Sequence, residues 1–186
     1  MVLLLVYSIS ASICDFSGTY MNLPIKTHRK VSNIFSWIEY FAFVTFFMIQ
    51  MRESKKMRQW IFFFSIGFII LAFYSYLSLG LFSKSNHVVM TYTCFIHTIL
   101  SIIFFFQLIE QTITPRLTDS YLFWINTAVL VFFGSTLVIV IFANQIMNKN
   151  SSPLIHNIWN VFNVFNVAFN TLLGIGIYKW AQSNKS

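Results

Sequence analysis

Residues 154–180 read LIHNIWNVFNVFNVAFNTLLGIGIYKW, an apolar run long enough to cross a bilayer that also contains His156 and asparagines at 157, 160, 163, 166 and 170. Helical winding at about 100° per residue gathers His156, Asn160, Asn163, Asn166, Asn170 and Gly174 into roughly a third of the circumference. Ile158, Phe162, Phe165, Phe169 and Leu172 fall on the opposite side. Lipid offers no hydrogen-bond partner, so the amide side is expected to face protein and the phenylalanine side lipid. Other helices must then supply that interior.

Hydrophobic residues make up 57% of the chain, charged residues 9%, and the mean hydropathy is +0.70. A soluble domain carries about a quarter charged residues, so this chain lacks the polar surface to meet water on every side. The composition predicts an all-α, polytopic transmembrane helix bundle, one domain over 1–186 with no soluble domain. The formal charge is +7, but Lys and Arg sit in short stretches between apolar runs. That is juxtamembrane charge, and the expected partner is a lipid bilayer rather than nucleic acid. Cys14 and Cys94 lie in apolar stretches with no CxxC or Cys/His spacing, so both read as small core residues. Neither a metal nor another cofactor is expected.

Working outward from 154–180, the apolar runs predict six membrane helices at 2–21, 31–51, 60–82, 88–109, 121–147 and 154–180. Each reaches about 20 residues, enough for about 30 Å of hydrocarbon. The opening MVLLLVYSISASICD lacks the basic flank of a secretory signal, so it reads as the first membrane segment, with Asp15 embedded in it. Pro24, Lys26, Arg29 and Lys30 are assigned to a loop, RESKKMR at 52–58 is the most basic connection, and SKSNH at 83–87 is a turn. Glu39 falls near the middle of the second segment; Cys94, His97, Thr98 and Ser101 share one face of the fourth. Tyr121 and Trp124 suit an interfacial aromatic belt at the start of the fifth. Lys and Arg slightly favour the side holding both termini, which the positive-inside rule places in the cytoplasm.

Counted from one membrane face, Asp15, Glu39 and His97 come out at a common depth of about 12 to 14 Å, with Asn163 close to the same level. An ionised carboxylate in hydrocarbon costs a few kcal/mol, and partners at the same level lower that cost. Asp15, Glu39, His97, Asn160 and Asn163 are therefore the candidate site for a proton or small polar ligand, with His156, Trp124 and Asn126 as secondary candidates. The competing reading is a set of interhelical hydrogen bonds that only fixes packing. The reading these residues favour is a non-enzymatic sensor or accessory subunit, with a membrane partner such as a sensor kinase and with self-association as a second option. A small proton-coupled transporter or permease ranks second; the chain shows neither inverted repeats nor paired Gly or Pro breaks. An intramembrane metal-dependent hydrolase ranks third. His156 and Asn160 have ligand spacing but are one imidazole short, and no GxSxG or HExxH occurs. Paired axial haem ligation by His97 and His156 fails on a depth offset of about 10 Å.

Three stretches carry a resemblance: SNIFSWIEYFAFVTFF at 32–47, YLFWINTAVLVFFGSTLVIVIFANQI at 121–146, and IHNIWNVFNVFNVAFNTLLGIGIY at 155–178. In these stretches and their spacing, the chain resembles a family of small, uncharacterised bacterial integral membrane proteins with about seven transmembrane helices. The resemblance implies a multi-pass protein of the bacterial inner membrane and a sensing or accessory role, since such proteins tend to be encoded near sensor kinases. It also implies one further helix ahead of the segment matching 2–21, so that the chain is either shorter than its relatives or starts at a misplaced codon.

Overall fold

The computed structural model describes Tyr7, Ala11 and residues 25–79, 87–111, 116–147 and 152–183, and the side chains of most of them. These residues form five α-helices and one short 3-10 turn: α1 (Ile25–Gln50), α2 (Lys55–Leu79), α3 (His87–Gln111), the turn Leu117–Asp119, α4 (Tyr121–Met147) and α5 (Ser152–Ser183). No strand occurs among the described residues. Among the described residues four stretches are long and apolar enough to cross a membrane, Lys55–Ser75, Val88–Glu110, Tyr121–Phe142 and Asn160–Ser183. The expectation of six is corrected accordingly. Segment 2–21 lies outside the described residues except for Tyr7 and Ala11, both helical. Helix α1 is not among the four. It carries Lys26, His28, Arg29, Lys30 and Asn33 in its first half and Glu39 just past its middle, leaving a clean apolar stretch well short of the ~20 residues a crossing needs.

Two helices begin earlier than the hydropathy pattern predicts. Helix α1 starts at Ile25, directly after Pro24, and includes the Lys26, Arg29 and Lys30 expected in a loop. Lys and Arg are good helix formers, and their long stems allow a helix to continue past the apolar run. Helix α2 starts at Lys55, so the basic connection shrinks to a turn at residues 51–53. Ser54 sets that start: its Oγ accepts the Met57 N–H at 3.4 Å, satisfying a first-turn donor that has no intrahelical acceptor.

The chain groups into two compact units, Met1–Thr93 and Cys94–Ser186. In the first, α1 packs on α2 through aromatic rings. Tyr40 stacks on Phe68 with 3.7 Å between centroids, and Trp37 meets the same ring edge-on at 5.3 Å. The Tyr92 hydroxyl donates to the Phe64 carbonyl of α2 at 2.8 Å. Gly67 makes room for it, since a Cβ there would lie 2.6 Å from that hydroxyl oxygen.

In the second unit α4 and α5 form the tightest pair. Phe162 and Phe169 of α5 meet Phe132 of α4, with the Phe132–Phe169 centroids 4.8 Å apart. Two helical turns beyond Phe169, Gly176 brings the backbones together: a Cβ there would stand 2.7 Å from the Ile125 side chain and 3.3 Å from the Tyr121 carbonyl oxygen. This reverses the expected orientation of α5. Phe169 is buried, whereas Asn160, Asn163 and Asn170 are exposed. In lipid no hydrophobic force drives phenylalanine outward or inward, so ring packing and close backbone approach decide which face turns to a neighbouring helix. Phe162, Phe169 and Gly176 share one line at seven-residue spacing, and that line wins. At the Gly176 end of the pair, the Trp124 indole N–H donates to the Thr118 carbonyl at 2.7 Å, and Lys179 lies 3.8 Å from the exposed Asp119 carboxylate. The latter is a surface pair worth less than about 1 kcal/mol.

Gly134 and Gly176 occupy the same helix pair in opposite environments, because nothing lies within 4 Å of a Cβ at Gly134. Alanine gains about 1 kcal/mol of helix propensity at either site. Thermal unfolding in detergent is expected to show Gly134→Ala unchanged or raised in Tm. Gly176→Ala is expected to be lowered, because the crowding costs about 1–3 kcal/mol.

Candidate functional site

The second unit holds most of the buried polar side chains. Along α3, Cys94, His97, Ser101, Phe104 and Leu108 recur at three- and four-residue intervals and are all buried. Along α4, Asn126, Val129, Phe133, Thr136 and Val140 do the same. Both stripes are the product of helical periodicity, which stacks i, i+3 and i+7 on one face. They touch, in antiparallel order, where Ser101 meets Asn126 and His97 meets Phe133.

Ser101 and Asn126, both 0% exposed, make a closed set of hydrogen bonds. The Ser101 hydroxyl is 2.7 Å from Asn126 Oδ1 and 3.1 Å from the Asn126 carbonyl oxygen, and Asn126 Nδ2 donates back to the Ser101 carbonyl at 3.0 Å. Side-chain oxygen and nitrogen of the amide are both used, as burial in hydrocarbon requires. One turn earlier on α3, His97 is also 0% exposed, and its imidazole stacks on Phe133 at 4.6 Å with a 23° tilt. One turn beyond Phe133 on α4 lies Thr136, 1% exposed, whose hydroxyl has no hydrogen-bond partner among the described residues. Thr98 donates back to the Cys94 carbonyl at 2.7 Å, a satisfied helix-interior hydroxyl. The arrangement is a titratable ring beside a polar clamp, in a seam closed to solvent.

The residues expected to form one polar layer are divided between the two units. Asp15 lies outside the described residues, and so does the side chain of His156, which falls within α5. Glu39 belongs to the first unit, half-buried, where its Oε1 accepts the hydroxyl of the buried Tyr7 at 3.1 Å. Tyr7 is held in place by Phe35 and Phe43 at 5.7 and 4.8 Å. His97 sits in the second unit on the seam, whereas Asn160 and Asn163 are exposed on the side of α5 turned away from α4. Trp124 anchors the start of α4 rather than lining the seam. Asn126, ranked second by the sequence, is the residue that joins the helices. The signal that identifies it is its seven-residue spacing to Phe133, which fixes it on the buried face. Among the described residues no three His, Cys, Asp or Glu side chains come together, so the metal-hydrolase alternative finds no ligand set there.

Comparison with protein-family models, with curated proteins and with solved structures finds no match to this chain.

The closed Ser101–Asn126 set predicts strong coupling. In a double-mutant cycle with Ser101→Ala and Asn126→Leu, either change alone leaves a buried polar group unmatched and is expected to cost about 1–3 kcal/mol. The double variant is expected to cost less than the sum of the two, with a coupling of about 0.5–1.7 kcal/mol as for other interhelical hydrogen bonds in membranes. Additivity measured by unfolding in mixed micelles contradicts the geometry.

Proposed function

We propose that this chain is a multi-pass protein of the bacterial inner membrane, of the family it resembles, acting as a non-enzymatic sensor or accessory subunit. Its switch is the α3–α4 seam. What supports this reading is one observation: a fully buried imidazole, His97, lies one turn from the Ser101–Asn126 clamp and flat against Phe133. Histidine is the side chain whose charge changes near neutral pH, and a buried charge is costly unless polar groups turn to meet it. A proton arriving at His97 places positive charge over the Phe133 ring and beside the clamp's oxygens. The clamp then has a second arrangement available, in which an amide or hydroxyl oxygen accepts from the imidazolium instead of closing on its partner helix. A proton or small polar donor that favours this arrangement shifts the packing of α3 on α4, and a membrane partner such as a sensor kinase reads the shift.

The full chain in proteoliposomes tests the reading. Tryptophan emission, to which Trp124 at the start of α4 contributes together with four other tryptophans, is expected to change with pH in a one-proton transition. His97→Phe, which keeps the ring stacking and removes the titratable nitrogens, is expected to abolish it. A pH-independent spectrum in the native chain, or an unchanged transition in the variant, contradicts the proposal. Dissipation of an imposed pH gradient by the native chain would replace it with the transporter reading.

A further inference from the structure

We propose that the outward face of α5 is a parallel helix–helix interface with a second copy of this chain. Helix α5 carries two seams on opposite sides. One, through Phe162, Phe169 and Gly176, is consumed by α4. The other runs through Asn160, Asn163, Val167, Asn170 and Gly174, spaced three and four residues apart, and every one of these positions is exposed. Three-four spacing keeps a straight stripe facing one neighbour over four turns. The stripe lies within Asn160–Ser183, a stretch apolar and long enough to cross a membrane.

Its chemistry does not suit lipid. Elsewhere the outward surface of the spanning helices is built from large apolar side chains: Phe62, Phe63, Ile70 and Phe73 on α2 are 59 to 63% exposed, and Phe142 on α4 is 56% exposed. The outward stripe of α5 has no aromatic residue, only amides, small β-branched residues and a glycine. A Cβ at Gly174 would meet nothing within 4 Å, so a groove is open at that level. Small residues that permit close approach and amides that bond across helices are the marks of membrane helix pairs. Asn170 Nδ2 donates to the Asn166 carbonyl and to its Oδ1 at 2.9 and 3.0 Å, a pair that uses neither the Asn166 side-chain N–H groups nor the Asn170 Oδ1.

The occupant follows from self-complementarity. An amide presents both a donor and an acceptor, so it is matched by another amide. Beyond Lys55, Lys56, Arg58 and Gln59 at its start, the exposed side chains of the spanning part of α2 are aromatic or aliphatic and offer no such ladder. A second copy does, in register, because membrane insertion gives both copies the same orientation and a two-fold axis along the membrane normal sets Asn163 against Asn163 and Asn170 against Asn170. Polar residues at seam positions fix register in paired helices for the same reason. This interface stands on α5 alone and is independent of any proton step at His97.

The test uses the full chain in liposomes. Resonance energy transfer between differently labelled copies is expected to report dimers, with an apparent association constant that falls at least tenfold in the Asn160→Leu/Asn163→Leu/Asn170→Leu variant. Gly174→Ile, at a position where a Cβ meets nothing within 4 Å, is expected to weaken the dimer similarly without lowering Tm. Under oxidation Val167→Cys is expected to give a covalent dimer and Val138→Cys, on the exposed side of α4, to give none. A native chain that stays monomeric at all protein-to-lipid ratios, or asparagine variants that associate as strongly as the native chain, would overturn the proposal.

Discussion

An amide or hydroxyl in hydrocarbon has no water to fall back on, and that constraint organises this chain more than any apolar contact does. Where the second unit closes on itself, Ser101 and Asn126 answer the constraint inside one seam, each group serving as the other's solvent. Hydroxyls elsewhere answer it locally, as Ser65, Thr98, Thr127, Ser135 and Thr171 bond to carbonyls three or four residues back. These back-bonded hydroxyls specify little about neighbours. The cross-helix set does, because sliding α3 against α4 by one turn would break all of it at once.

Small residues decide where helices approach most closely. Gly67 admits the Tyr92 hydroxyl between α2 and α3, and Gly176 lets the α5 backbone reach that of α4. Dispersion between well-fitted surfaces then does what hydrophobic exclusion does in water. The rings of Phe132 and Phe169 are held because the glycine beyond them sets the distance. A protein of this kind thus places its glycines where the geometry is tight and its phenylalanines alongside them, and it leaves asparagines on α5 to an outer face with a chemistry of its own.

Much of this was legible in the residues. The run at 121–147 and the helix observed as Tyr121–Met147 coincide, because Ser120 and the polar stretch before it mark a sharp start. The face of α3 bearing Cys94, His97, Thr98 and Ser101 is readable from three- and four-residue spacing, and all but the half-buried Thr98 are buried. The starts of α1 and α2 were not, because hydropathy marks the edge of the apolar run, whereas Ser54 and the helix-forming Lys and Arg residues extend the helix past it. The orientation of α5 reverses the expected one for a different reason: amides need not seek the interior of their own chain. The heptad line of Phe162, Phe169 and Gly176 carried the opposite signal. Nor does depth along a helix show which faces meet, so residues at one level, such as His97 and Asn163, need not share a site.

The claim on which the rest turns is that α5 packs through its phenylalanines and presents its asparagines outward. Solid-state NMR of the full chain in lipid bilayers reads this without altering the sequence. Ring-to-ring correlations between Phe132 and Phe169, consistent with their 4.8 Å separation, are expected, with no contact of the Phe169 ring with acyl chains. Acyl-chain contacts at Phe169, with Asn163 or Asn170 correlated to α4 instead, would contradict it.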